Sequence, residues 1–313
     1  MTLAHLSGGH MITRRRIIIL AGSLAALVTA GPSVAQENAP ARLKVLATFS
    51  ILGDFVRNVG GDRVEVATLV GPDSDAHVYA PAPADAKKVA DAKVLVTNGL
   101  GYEGWMSRLL KASGTKAPVV VATKGIKERK ARDSHGHGEA DPHSWQSVAN
   151  AKVYVTNIRD ALIAADPAGK AAYEVNAAAY IAKLDTLDQE VKAAVAAIPV
   201  ERRKIITSHD AFGYFEQAYG VAFIAPQGVS TEAEPSARDI ARIITQVKKQ
   251  KIPAVFLENV TDPRLMERIA KETGARVGGK LYSDALTGEN GDAPGYIELM
   301  RHNLKTLGAA LMS

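Results

Sequence analysis

One stretch, residues 165–198, constrains the fold more than any other. It reads ADPAGKAAYEVNAAAYIAKLDTLDQEVKAAVAAI. Asp166 suits an N-cap and Pro167 a first helical residue. After Gly169 no Gly interrupts the run, and the next Pro is Pro199. Tyr173, Ala177, Tyr180, Ile181, Leu184, Leu187, Val191 and Val195 recur at a helical period. At 1.5 Å per residue the helix would be roughly 45 Å long, more than a small domain is wide. On both sides of it, short β-branched runs alternate with amphipathic segments. The helix therefore reads as a spine joining two lobes, not as a surface helix of one large domain.

Strands are expected at residues 43–49, 64–70, 93–97 and 119–122 before the spine, and at 204–207, 221–225, 254–257 and 276–281 after it. Helices are expected between them, with a closing helix over 296–311. Strands that alternate with helices call for parallel sheets. The expected class is α/β: two (β/α) lobes with parallel sheets, bridged by one long rigid helix. The expected division is a signal peptide at 1–35, an N-terminal lobe at 36–164, a linking helix at 165–198 and a C-terminal lobe at 199–313.

The N-terminus reads as a targeting segment. Arg14, Arg15 and Arg16 precede an apolar run, and Ser33-Val34-Ala35 supplies small residues for cleavage before Gln36. The expected destination is the periplasm, by the general secretory route or, through Thr13-Arg14-Arg15, a twin-arginine route. Met1 and Met11 are both candidate starts. Cleavage lowers the formal charge from +5 to +2, because the three arginines leave with no acidic residue. Beyond the short loop Lys124 to Arg132 no basic cluster then remains, and nucleic acid is not the expected partner. The chain has no Cys, so a transition metal must be held by His and carboxylates.

Ligands of open α/β sheets bind beyond the carboxyl ends of the strands. His77 lies in the loop after the second strand, His143 opens the helix after a polar loop, His209 follows the fifth strand and Asp284 follows the last. Singly, each has a plain alternative as a surface, capping or hydrogen-bonding residue. Together they place two candidate ligands from each lobe at one cleft. Glu258 and Asp210, also at strand ends, are expected to orient the His rings. Gly99-Leu100-Gly101-Tyr102-Glu103-Gly104 matches G-x-G-x-x-G, but it follows the third strand and lacks the downstream acid, so the glycines are read as a turn. Ser208-His209-Asp210 is not a triad, because adjacent residues cannot form that relay. There is no P-loop.

Six segments, in order, resemble the zinc- and manganese-specific solute-binding proteins of bacterial ABC importers, the cluster A-I type. They are His77-Val78-Tyr79-Ala80-Pro81, Asn98 to Glu103, Asp141-Pro142-His143-Ser144-Trp145, Thr207 to Phe212, Leu281 to Leu286 and Tyr296 to Asn303. The resemblance covers essentially the whole mature chain. It implies two α/β lobes around a rigid helix and metal ligands at His77, His143, His209 and Asp284. It also implies a permease partner at the inner membrane, a periplasmic zinc donor and a monomer that is not an enzyme. His at position 209, where relatives carry His or Glu, points to Zn(II) as cargo, with Mn(II) as the alternative. Three imidazoles and one carboxylate suit tetrahedral zinc. A secreted zinc hydrolase is the rival from another class, but four protein ligands would leave no open position for water. The loop with His135 and His137 resembles the His-rich loop of zinc importers and reads as a secondary, metal-collecting site.

Overall fold

The β-branched runs form two parallel four-stranded sheets. In the first, β1 (Leu43–Ala47), β2 (Val64–Thr68), β3 (Val94–Thr97) and β4 (Val119–Val121) lie in the order β2-β1-β3-β4. In the second, β5 (Lys204–Ile206), β6 (Ala222–Ile224), β7 (Ala254–Glu258) and β8 (Arg276–Leu281) lie in the order β6-β5-β7-β8. The computed structural model describes residues 41–131 and 140–312. The expected signal peptide and both His135 and His137 lie outside the described residues. Among those described, no helix is long and apolar enough to cross a membrane.

The two sheets share one topology. Strand order reverses between β1 and β3 and again between β5 and β7, which is where open sheets leave a crevice for a ligand. Central strands are buried on both faces, as parallel sheets require: all four residues of β3 are buried. Helices α1 (Ser50–Gly60), α2 (Pro83–Asp91), α3 (Met106–Ser113) and α4 (Val148–Ala165) belong to the first half of the chain. Helices α6 (Gly213–Tyr219), α7 (Ala237–Gln250), α8 (Arg264–Thr273) and α9 (Tyr296–Leu311) belong to the second.

Between them runs α5 (Lys170–Ala197), 28 residues and therefore about 42 Å long. It buries Tyr173, Ala177, Tyr180, Leu184, Leu187, Val191 and Val195, the expected stripe without Ile181, which is half-buried. Its start differs from expectation. α4 runs on to Ala165, and Pro167–Gly169 form a 3-10 turn before α5 begins. The Asp166 carboxylate is engaged by Arg63 (2.8 Å) and the Tyr173 hydroxyl (2.8 Å), so it ties the spine to the turn after α1 instead of acting as a simple cap.

α5 packs on α1 and α4 from the first half of the chain and on α9 and α6 from the second. One continuous apolar core follows from this, running from Val45 and Phe55 through Leu184 and Val191 to Phe256 and Leu307. A smaller cluster around Ile243, Val255 and Ile269 sits under α7 and α8. Leu184 is fully buried at the middle of the stripe. Leu184→Ala should destabilise the protein by about 2–5 kcal/mol in a urea titration. A loss under about 1 kcal/mol would mean that the spine is not the shared core element.

Candidate metal centre

The turns beyond the strands deliver four side chains to one point. His77 and His143 are delivered in the same way. In Asp75-Ala76-His77, Asp75 Oδ1 accepts the His77 backbone N–H (2.8 Å). In Asp141-Pro142-His143, Asp141 Oδ1 accepts the His143 backbone N–H (3.0 Å). Both are Asx turns, in which an Asp side chain folds the chain so that the residue two positions on projects inward. His209 follows β5 and is fully buried, with its backbone N–H and that of Ser208 donated to Glu258 Oε1 (3.0 and 2.7 Å). Glu258 ends β7, so this carboxylate closes the crevice between β5 and β7. Glu103 plays the matching part in the first sheet, accepting from Thr48 Oγ1 (2.6 Å) at the end of β1 and from Asn98 N (2.6 Å) after β3.

One donor atom from each of His77, His143, His209 and Asp284 can be chosen so that all lie within 4.8 Å of one another. His77 Nε2 is 3.2 Å from His143 Nε2. Asp284 Oδ2 is 3.1 Å from His209 Nε2 and 3.4 Å from His77 Nε2, and Asp284 Oδ1 is 3.6 Å from His143 Nε2. A tetrahedron with metal–ligand bonds of about 2.0–2.1 Å has edges of about 3.3–3.4 Å. These four contacts lie near that value, within a cluster whose donors span up to 4.8 Å. Asp284 Oδ1 is buried without a hydrogen-bond partner. A buried carboxylate oxygen costs free energy unless something cationic or protic meets it, and the three imidazoles around it meet that need best by sharing a cation.

The rings are aimed from behind. His143 Nδ1 is hydrogen-bonded to Asp141 Oδ1 (2.9 Å), and His209 Nδ1 lies 2.6 Å from Glu258 Oε2 as a close charge contact, out of line for a hydrogen bond. A carboxylate at Nδ1 fixes the tautomer that leaves the Nε2 lone pair free. Of the two expected orienting acids, Glu258 holds this position. Asp210 donates its backbone N–H to Gly228 O (3.1 Å). Sequence reasoning does not single out Asp141 as an orienting acid, although the repeated Asp-x-His at 75–77 and 141–143 carries the signal.

Electrostatics follow from burial and charge. Burial opposes an imidazolium at His143, but the Asp284 and Asp141 carboxylates outweigh it and raise the ring to about 9. Burial likewise opposes charge at His209, and Glu258 and Asp284 raise it well above its ordinary value. For His77 burial prevails and the ring is lowered. Burial pushes Asp284 up, yet His209 and His143 hold it well below the usual carboxylate range. The cluster is therefore built around positive charge at its centre. Phe49, Tyr102 and Trp145 pack edge-on around it and keep the dielectric low.

The loop bearing Asp284 is stapled to the first half of the chain. Trp145 Nε1 and Gln146 Nε2 both donate to Ser283 O (2.9 and 2.7 Å), and Leu286 N donates to Ser50 Oγ (3.0 Å). The G-x-G-x-x-G segment is a turn, as expected. Gly99 and Gly101 sit at φ of +86° and +82°, and Tyr102 N donates to Gly99 O (3.1 Å).

The family profile described as ZnuA, "Zinc-uptake complex component A periplasmic", matches residues 45–310. The iron-binding protein YfeA of Yersinia pestis is 34% identical over 285 residues, covering 91% of this chain and 90% of the relative. The manganese ABC transporter substrate-binding lipoprotein PsaA of Streptococcus pneumoniae is 32% identical over 291 residues, covering 91% and 94%. Among solved structures, the periplasmic zinc binding protein TroA of Treponema pallidum superposes with a TM-score of 0.82 at 29% identity, covering 87% of this chain and 99% of that one. A manganese-bound periplasmic metal binding protein from candidatus liberibacter asiaticus gives 0.77 at 32% identity, covering 86% and 100%. The chain belongs to the ZnuA family, the cluster A-I metal-binding solute-binding proteins of ABC importers, whose members bind and deliver ions and are not enzymes.

Proposed function

We propose that this protein binds Zn(II) outside the cytoplasm through His77, His143, His209 and Asp284 and delivers it to an ABC-type permease at the inner membrane. The gathering of three imidazoles and one carboxylate, with donor atoms within 4.8 Å of one another and four contacts of 3.1–3.6 Å between them, supports zinc most directly, since that donor set suits a small tetrahedral ion. The Arg-rich, apolar N-terminus supports export to the periplasm by a Sec or Tat route, with cleavage after residue 35. The division into lobes at 36–164 and 199–313, bridged by 165–198, follows the two sheets and α5. The monomeric state, and a zinc donor served by His135 and His137, belong to the same reading.

One observation favours manganese as a second reading. Relatives 31–35% identical are named for manganese or iron. Both oxygens of Asp284 also face imidazole nitrogens, at 3.1 and 3.6 Å, so a larger ion could take both. Affinity alone does not decide, because such sites bind zinc above manganese whatever the cargo. Metal analysis of protein taken from its native compartment separates the two. Zinc at one equivalent supports the proposal, and manganese at one equivalent overturns the choice of ion while leaving the site intact.

A further inference from the structure

We infer that Arg129 is a positioning residue for the metal centre, acting through Asp141 on His143 and joining that ligand to the helix that follows His209. The inference rests on the metal-binding reading above.

Arg129 grips Asp141 twice. Its carbonyl accepts the Asp141 backbone N–H (2.7 Å), and its Nη1 donates to Asp141 Oδ2 (2.6 Å). The other oxygen of that carboxylate, Oδ1, takes both the backbone N–H and Nδ1 of His143. Asp141 thus divides its two oxygens between the arginine and the ligand. Its side chain is fully buried, and that of Arg129 is 13% exposed, so the pair works at low dielectric, where a charge-assisted bond is strong and a missing partner is costly.

Arg129 also reaches the second half of the chain. Its backbone N–H donates to Tyr214 Oη (3.0 Å). Its guanidinium lies against Gly213, the first residue of α6, where an added Cβ would fall 2.0 Å from Nη1 and 2.2 Å from Cζ. α6 starts four residues after His209. The same arginine therefore holds the mount of one ligand against the element that follows another. A planar, permanently charged group suits this place in a way a lysine does not.

Charge counting points the same way. Among the described residues, three carboxylates touch the imidazole cluster: Asp141, Glu258 and Asp284. A divalent ion supplies two positive charges, and Arg129 supplies the third. Counted over the described residues, the loaded centre is then neutral, which suits a buried site. Arg129 acts on the ion only through His143, whose ring direction and free Nε2 depend on where Asp141 sits.

Cobalt(II) is the probe, because its visible ligand-field bands report donor geometry and a structural role elsewhere would not move them. In full-length Arg129→Met, the bands should shift, and cobalt should pass to a chelator about 10–100-fold faster, the range for loss of a group that orients a ligand. Arg129→Lys should recover part of both effects. Gly213→Ala, which leaves the arginine in place but displaces its flexible tip, should move the bands in the same direction and less far. In a His143→Gln background, Arg129→Met should add nothing.

Unchanged bands and release rate in a folded Arg129→Met protein would overturn the inference. So would a full Arg129→Met effect persisting without His143. If Arg129→Met does not fold, Gly213→Ala carries the test, and parental bands there would overturn it. Parental cobalt binding by His143→Ala would instead sink the metal-binding reading itself. A His143→Ala defect beside a parental Arg129→Met sinks this inference alone.

Discussion

Asp284→Asn should cost the protein about two orders of magnitude in zinc affinity. A four-ligand zinc site of this kind is worth about 10–16 kcal/mol, so one ligand carries about 3 kcal/mol, which is about a hundredfold in Kd. The amide keeps the volume of the carboxylate and removes its charge. Both oxygens of Asp284 face ring nitrogens and neither faces solvent, so no other acid can swing into its place without breaking the bonds from Trp145 and Gln146 to Ser283 O. A second effect separates loss of a ligand from general damage. After burial, Asp284 is the largest influence on His143 and raises that ring. In the metal-free variant the His143 ring should titrate well below its parental value, and NMR of the imidazole nitrogens would read this. Competition against a chelator of known affinity measures the first effect. Parental zinc affinity in a folded Asp284→Asn protein would remove the carboxylate from the site.

The sequence is most legible where periodicity and burial agree. The stripe from Tyr173 to Val195 is the face α5 buries, because nothing but the core competes for those side chains. The paired sheets are equally legible, since β-branched runs such as Val94 to Val96 have no other stable use. Asp166 escapes sequence reasoning because its fate depends on partners distant in the chain. A local rule makes it a cap, but Arg63, 103 positions away, claims its carboxylate. The ligand set is visible only in part from spacing. His77, His143, His209 and Asp284 each stand alone in the chain, and their meeting depends on two crevices that only the sheet orders create. The family motifs supply what spacing cannot. Glu103 stays hidden for a similar reason: it lies inside a glycine-rich segment that reads as a turn, and its work in joining β1 to β3 is tertiary. Glu258 is easier, because a carboxylate at a strand end in an apolar setting has to meet something.

Zinc affinity should rise steeply with pH between about 7 and 9, and metal-free stability should fall across the same window. The metal-free His143 titrates at about 9, against 6.5 for an unperturbed imidazole. A ring whose folded value is raised adds stability that is fully present below the unfolded value and is lost as pH rises through the folded one. The rise is worth about 3 kcal/mol to the metal-free protein at neutral pH, since one unit is about 1.36 kcal/mol. Asp284, held low, adds stability that is present above its unfolded value and is lost only as strong acid reaches its folded one, so it does not shape this window. Zinc needs the Nε2 lone pairs, so binding at pH 7 must expel the protons that His143 and His209 hold. His77 is lowered and has none to give. Two displaced protons make affinity climb by about a hundredfold per pH unit, and one by about tenfold. The metal-free protein is therefore a proton-filled copy of the loaded one, with the same central positive charge supplied by protons instead of zinc. Acid favours the copy, and release of zinc is eased by any route that lets protons back to the rings. Calorimetric zinc titrations in buffers of different ionisation heat count the protons directly. A count near zero at pH 7 would mean that the rings are already neutral and that the carboxylates around them do not hold positive charge in the absence of metal.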